Sequence, residues 1–157
     1  AKNNQAHEKL SAELKATKLK RVYETIVHGV IIEESGTIDA PIGRHEVDRK
    51  KMAVNTRTGK RAVTHFKVLE RFENATHLEV RLETGRTHQI RVHMAYIGHP
   101  VIGDKVYGGK QKKYNIDGQA LHARTLGFHH PTTGKYMEFT TQLPEYFTNL
   151  LKQLREV

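Results

Sequence analysis

The sequence predicts an α+β fold, with a mixed, mainly antiparallel sheet flanked by helices. Segments rich in β-branched residues, or with alternating polar and apolar residues, are joined by short turns, which is typical of hairpin-connected strands. Other segments carry apolar residues at helical spacing. The chain has 157 residues, of which 37% are hydrophobic. The hydrophobic content is sufficient for a core, and the length suits one domain rather than two.

The strand predictions rest on β-branched content and on alternation. The predicted strands cover residues 21–32, 52–55, 62–72, 77–82, 121–128 and 136–140. The segment GTIDAPIGRH, residues 36–45, contains two glycines and a proline and is predicted to be a turn-rich connection. In residues 77–82 the apolar Leu78, Val80 and Leu82 alternate with Glu79 and Arg81, which indicates a strand with one wet face.

Three helices are predicted from apolar residues at helical spacing. The first covers residues 4–17. The second begins with Thr87 as its N-cap and ends at Gly98, which occupies the position of a C′ glycine. Pro144 opens the third. The apolar stripe of this third helix consists of Phe147, Leu150, Leu151 and Leu154.

The net charge points to a polyanionic partner. Lys and Arg number 26 against 17 acids, which gives a formal charge of +9. Nucleic acid is the usual partner of such a surface, although the charge alone leaves a generically soluble basic protein open. The basic residues do not line one amphipathic helix, which disfavours binding to a membrane surface. Without cysteine, the chain has no disulfide or thiolate metal site, and this fits a reducing cytoplasm.

Metal and nucleophilic-serine chemistry are disfavoured by spacing. Among eleven histidines there is no HExxH motif. His88 and His93 are five residues apart, which separates them by about 140° on a helix. Neither Ser11 nor Ser35 lies in a GxSxG motif. We therefore expect no metal site and no serine nucleophile, and the chain has neither a P-loop nor a GxGxxG motif.

Residues 81–109, RLETGRTHQIRVHMAYIGHPVIGDKVYGG, carry the most informative pattern. A strand ends, a Thr-Gly turn follows, and a helix begins amid Arg86, His88, Gln89 and Arg91. A helix N-terminus with nearby arginines can bind an anion, but the same pattern also fits a capped helix with arginines in solvent. Arg91 lies at the edge of the apolar stripe and therefore needs an anionic partner. The next helical turn offers no acid.

The same segment resembles the signature of the RluA/RluD family of RNA pseudouridine synthases. Three further segments extend the resemblance over essentially the whole chain, and it is closest to the branch that acts on large-subunit ribosomal RNA. They are KRVYETIVHG at residues 20–29, TIDAPIGRH with KMAV within residues 37–54, and ALHARTLGFHHPTTGKYMEF at residues 120–139.

The resemblance implies a reaction without cofactor or metal. Enzymes of this family break the C1′–N1 bond of uridine, turn the base and join C1′ to C5, and the target base must leave its stack first. Three catalytic positions are implied: a tyrosine that stacks on uracil, which matches Tyr23; an arginine that pairs with a catalytic aspartate, which matches Arg91; and that aspartate, in an HRLD-type segment. No such segment occurs here. We therefore expect the chain to be the C-terminal part of a single catalytic domain, inactive alone.

Further roles follow from the resemblance and from the basic pattern. We expect Arg86, His88 and Gln89 to contact substrate. Leu121 resembles an apolar residue near the target base, but it fits a core leucine equally well. Asp104 is interpreted as structural, bracing its loop against Arg86 or a backbone amide.

A basic run in residues 44–51 contacts phosphate or is solvated, and the phosphate role is favoured. Its members are Arg44, Arg49, Lys50 and Lys51. The expected protein is a cytoplasmic monomer whose partner is ribosomal RNA. The alternative is a basic RNA-binding module without chemistry.

Overall fold

The computed structural model describes residues 20–109, 114, 116 and 118–156, so the helix predicted at residues 4–17 lies outside the described residues. In this part of the chain six strands precede the first helix and two more precede the second, and this segregation of strands and helices confirms the α+β class. The strands are β1 (Lys20–His28), β2 (Ser35–Asp39), β3 (Ile42–Arg44), β4 (Met52–Val54), β5 (Val63–Arg71), β6 (Ala75–Leu82), β7 (Leu121–His129) and β8 (Tyr136–Thr140). The helices are α1 (Gln89–Tyr96) and α2 (Glu145–Arg155).

Six strands form one sheet in the order β2-β5-β6-β1-β7-β8, and β3 pairs with β4 in a separate ribbon. Every strand pairing in the described part of the chain is antiparallel. Short connections explain three of these pairings, β3–β4, β5–β6 and β7–β8, because strands joined by short turns pair in opposite directions.

The predicted turn-rich connection at residues 36–45 is wrong, because it contains β2 and β3. Its glycines are required by close packing. A Cβ on Gly36 would lie 2.6 Å from the ring of Phe66, and one on Gly43 would lie 3.0 Å from the Cα of Gly59. Glycine within a strand often marks such a close approach. The sequence pattern alone instead predicts that these glycines belong to a turn.

Strand β1 lies inside the sheet, between β6 and β7, and divides the core into two layers. Its alternation places Arg21, Tyr23 and Val27 on one face and Ile26 on the other. Helix α1 covers the first face, where Val27 packs with Leu78, Val80, Ile90 and Met94. Helix α2 covers the second face, where Ile26 packs with Phe147, Leu150, Leu151 and Leu154.

The two described helices match their predicted positions closely. Helix α2 follows Pro144 and buries the predicted apolar stripe. Helix α1 ends as predicted, with Gly98 at a φ of 86°. Its predicted N-cap is wrong: the cap is His88, with a φ of 56° and no side-chain capping bond, rather than Thr87. Neither helix is long or apolar enough to cross a membrane.

Buried histidines are bonded into the core. The imidazole of His93 is fully buried and lies between the Thr64 hydroxyl, 2.7 Å from Nδ1, and the Ala40 carbonyl, 2.8 Å from Nε2. His77 lies 2.7 Å from a Glu24 carboxylate oxygen and packs edge-on against Phe147. Burial lowers the pKa of His77, His93 and His28. Within the described residues, no group of three His, Asp or Glu side chains could hold a metal ion.

These histidines predict a loss of stability in mild acid. Each has a folded-state pKa below its ordinary value of about 6.5, so the unfolded chain binds more protons once the pH falls below that value. We expect the free energy of unfolding to fall between pH 7 and pH 5, by up to about 1.4 kcal/mol per pH unit for each histidine that stays neutral. Urea denaturation at several pH values measures this, and a constant free energy over that interval would contradict it.

Candidate active site

A cavity of about 380 Å³ opens on the α1 side of β1. It is bounded by β1, by the turn between β6 and α1, by the first turn of α1, and by the start of β7. Its described lining contains three arginines and no acid. These lining residues are Arg21, Tyr23, Leu82, Gly85, Arg86, His88, Gln89, Ile90, Arg91, Gln119 and Leu121. The predicted site residues Tyr23, Arg86, His88, Gln89, Arg91 and Leu121 are thus brought together here.

Arg91 is held by an acid that lies 13 residues further along the chain. Its Nε donates to Asp104 Oδ2 at 2.8 Å and its Nη2 donates to Asp104 Oδ1 at 3.0 Å. The two side chains are 13% and 0% exposed. The anion that Arg91 requires is therefore already present in the chain, whereas the sequence interpretation assigned that place to an aspartate outside it.

Asp104 also organises its own loop. Its Oδ1 accepts the backbone N–H groups of Val106 and Tyr107, both at 3.0 Å. Burial alone would raise the pKa of the carboxyl, but the bonds from Arg91 and from the two amides hold that pKa below its usual value. The predicted bracing by backbone amides is confirmed. The predicted alternative, Arg86, is wrong, because Arg86 donates instead to the Arg61 carbonyl at 2.8 Å.

Tyr107 joins three parts of the site, and the sequence interpretation gave it no role. The Arg91 guanidinium lies 5.1 Å from the centre of its ring, within range of a cation–π interaction. Its hydroxyl accepts the Met52 N–H at 3.1 Å and lies 2.9 Å from Nδ1 of His88. The one available signal was an aromatic residue within an otherwise glycine-rich loop.

His88 is presented in an uncommon backbone conformation. A φ of 56° places it in the left-handed region, which is disfavoured for a residue with a Cβ. The Tyr107 hydroxyl, which accepts the Met52 amide, can donate its proton to Nδ1 of His88, and in that arrangement the N–H of the imidazole lies on Nε2. Partial burial and then the Arg91 charge lower the pKa of His88, which favours the neutral ring.

Gln89 lines the cavity, but its amide is bonded within the protein. Its Nε2 donates to the Val63 carbonyl and to the Thr64 hydroxyl, both at 2.9 Å. Its Oε1 accepts from the Thr84 hydroxyl at 2.8 Å and from the Arg86 N–H at 3.0 Å. These bonds fix the Thr-Gly turn against β5, so the geometry supports a positioning role for Gln89 rather than the predicted contact with substrate.

Tyr23 and Leu121 form the apolar part of the lining. Leu121 is paired with Thr25 in the β1–β7 ladder, so it lies on the same face of the sheet as Tyr23. Both are half-buried and pack against the α1-side core. The Tyr23 hydroxyl has no hydrogen-bond partner in the described part of the chain. Tyr23 and Arg91 therefore face one cavity, and their catalytic roles stay predictions.

The predicted basic run lies outside the cavity, in and next to the β3–β4 hairpin. Arg44, Arg49 and Lys50 are exposed, and Lys51 is half-buried. The loop is closed by backbone bonds to Nδ1 of His45. The hairpin is nevertheless linked to the cavity wall, because the Met52 amide binds the Tyr107 hydroxyl that also contacts His88.

Comparison with known proteins agrees with this geometry. Residues 1–96 match the family model described as RNA pseudouridylate synthase. The chain belongs to this family.

Relatives extend the match over 99% of the chain. An uncharacterised RNA pseudouridine synthase of Bacillus subtilis is 56% identical, and ribosomal large subunit pseudouridine synthase D of Pseudomonas aeruginosa is 53% identical. The chain covers 51% and 52% of these proteins, so it spans about half the length of the curated relatives it matches. Human RNA pseudouridylate synthase domain containing 1 has a TM-score of 0.77 at 27% identity, with 100% of this chain and 74% of that chain covered.

Because the ion pair between Arg91 and Asp104 is buried, we expect the substitution of one of its atoms to destabilise this pseudouridylate synthase family member strongly. Replacing Asp104 by Asn leaves Arg91 partly buried without an anion, and we expect the free energy of unfolding to fall by about 3–5 kcal/mol. Chemical denaturation measures the loss.

The matched control is Glu83→Gln, which removes the same charge from an exposed carboxylate bonded to Arg61 and His65. Exposed ion pairs contribute little, so the control should lose far less stability. Equal losses in the two variants would contradict the importance of the buried pair.

Proposed function

We propose that this chain forms the uridine-binding part of an RNA pseudouridine synthase that acts on large-subunit ribosomal RNA in the cytoplasm. The observation that carries the proposal is the shared cavity of Tyr23 and Arg91 in a member of this family. The name of the Pseudomonas aeruginosa relative, ribosomal large subunit pseudouridine synthase D, supports the choice of RNA. The described residues of the lining include three arginines and no acid, which favours a polyanionic ligand.

Tyr23 and Leu121 are proposed to hold the flipped base. An aromatic ring and an aliphatic side chain on one sheet face provide two apolar surfaces for a planar uracil. The Tyr23 hydroxyl has no hydrogen-bond partner in the described part of the chain, so no such bond has to break when the base enters. The base must turn between cleavage of C1′–N1 and formation of C1′–C5, and apolar contacts permit rotation more readily than directional hydrogen bonds.

Arg91 is proposed to orient the catalytic carboxylate with the nitrogen that Asp104 leaves unused. Asp104 occupies Nε and Nη2, and Nη1 has no partner in the described part of the chain. A guanidinium clamped on one edge loses little further freedom when the remaining nitrogen donates to a second oxyanion. The aspartate itself is proposed to come from an HRLD-type segment of a longer protein, of which this chain is the C-terminal part of a single catalytic domain.

The residues around the cavity are proposed to act without a metal or cofactor, in a monomer. A basic RNA-binding module without chemistry is the second candidate, favoured by the absence of an HRLD-type segment from this chain. The two differ in whether the full-length protein turns over uridine.

Tritium release from RNA labelled at C5 of uridine tests the function, because joining C1′ to C5 displaces the C5 hydrogen. We expect turnover by the full-length protein and background release by the 157-residue chain. The chain lacks the proposed catalytic aspartate, and loss of one residue of a catalytic unit abolishes most of the catalysis. Turnover by the chain alone would refute an external aspartate, and Asp39, Asp48, Asp104 and Asp117 would each need testing. Absence of turnover by the full-length protein on ribosomal RNA would favour the binding module.

The basic hairpin predicts a salt effect on RNA binding. Replacing Lys50 and Lys51 by Ala in the full-length protein should flatten the slope of log K against log salt by roughly 0.7–0.9 for each lost phosphate contact. The matched control is Lys67→Ala with Lys152→Ala, two exposed lysines on other elements. An unchanged slope in the hairpin variant would show that the run only contributes solubility.

A further inference from the structure

One cationic side chain of the cavity has no explanation in the network described above. The Nε and Nη2 atoms of Arg21 are buried and have no hydrogen-bond partner among the residues that the structure describes. A buried charge without a partner is costly. The other cavity arginines are bonded, Arg91 to Asp104 and Arg86 to the Arg61 carbonyl. Arg21 therefore has no anionic partner among the described residues around it.

The surrounding backbone makes room for this guanidinium. A side chain on Gly85, in the turn before α1, would collide with Nη1 of Arg21. Arg21 also lines a second cavity, of about 340 Å³, together with Tyr23 and residues of β7 and β8. Arg21 and Tyr23 thus form the boundary between two neighbouring cavities, where an extended ligand would pass from one to the other.

The spacing of the two side chains fits one nucleotide. Arg21 and Tyr23 are two residues apart on the same face of β1, which places their Cα atoms about 6.6 Å apart. A nucleotide whose base lies against Tyr23 can direct a backbone phosphate toward Arg21. Nε and Nη2 of one guanidinium are parallel donors, the arrangement that binds phosphate oxygens bidentately. Both are buried and unbonded within the described part of the chain, so a phosphate that reaches them has to displace the groups that cover them.

We propose that Arg21 is a phosphate receptor that binds an RNA phosphodiester next to the base held by Tyr23. The proposal rests on the proposed function and adds a substrate-binding residue to it. The unpaired charge is kept at a cost in stability and is neutralised when RNA binds, so affinity and stability should change in opposite directions when Arg21 is replaced.

The test uses the full-length protein with Arg21→Met, which removes the charge and retains much of the volume. Binding of a fluorescent oligouridylate is measured across a series of salt concentrations, together with the same oligonucleotide made with neutral methylphosphonate linkages. Arg21→Met should weaken binding of the charged probe roughly tenfold and reduce the salt slope by roughly 0.7. It should leave binding of the neutral probe unchanged and should not lower the melting temperature.

Two further variants separate local from general effects. Gly85→Ala displaces the end of the Arg21 side chain and should weaken binding of the charged probe in the same way. Arg81→Met removes a charge from an exposed arginine on the opposite face of the sheet, where Arg81 pairs with Val22, and should reproduce neither the tenfold weakening nor the reduced slope.

The proposal is overturned if Arg21→Met lowers the melting temperature while the salt slope stays constant, because Arg21 would then pair with a carboxylate of the protein. Equal weakening of binding to the charged and neutral probes would also overturn it. Tritium release provides the separate measure of the proposed function. If the full-length protein releases tritium but Arg21→Met leaves the salt slope unchanged, the receptor alone is refuted. If Arg21→Met reduces the slope in a full-length protein that releases no tritium, the enzyme alone is refuted.

Discussion

The site depends on the ion pair between Arg91 and Asp104. The pair joins α1 to the loop that follows it, and the same carboxylate fixes two amides of that loop. Through Tyr107 the loop then contacts both His88 and the β3–β4 hairpin. A single buried charge thereby sets the positions of a helix, a loop and a hairpin, which no local sequence preference specifies.

Strand β1 provides the second constraint, because its two faces have different tasks. The face toward α2 packs Ile26 into the core and carries Glu24, which is bonded to His77. The face toward α1 changes along the strand from Val27 in the core to Tyr23 and Arg21 in the cavity. Pairing with β6 and β7 on both edges fixes this strand, so residues of the site are carried by an interior strand of the sheet.

The sequence was sufficient for most of the fold because its patterns are local. Alternation located β6, and a four-residue apolar stripe located α2. Prediction failed for β2 and β3, where Gly36 and Gly43 accommodate neighbours that are distant in sequence. It also failed for the start of α1, because the left-handed conformation of His88 is imposed by its surroundings.

The candidate site was predicted unevenly for the same reason. Family resemblance drew attention to Tyr23 and Arg91, and helical phase indicated that Arg91 needs an anion. The partner, Asp104, lies beyond the next helical turn and is brought close only by folding. Tyr107 and Arg21 could not be found from local patterns, since one acts through a hydroxyl shared by two distant segments and the other is distinguished by the bonds it lacks.

The left-handed backbone at His88 has a consequence for anyone who engineers this scaffold. Glycine adopts that conformation without the penalty of roughly 1–2 kcal/mol that a side chain incurs. Selection for heat resistance alone would therefore favour glycine at this position, and the imidazole at the rim of the cavity would be lost with it. A thermostabilised library should keep position 88 fixed, because the mutation that relaxes the backbone also removes a polar group that lines the cavity.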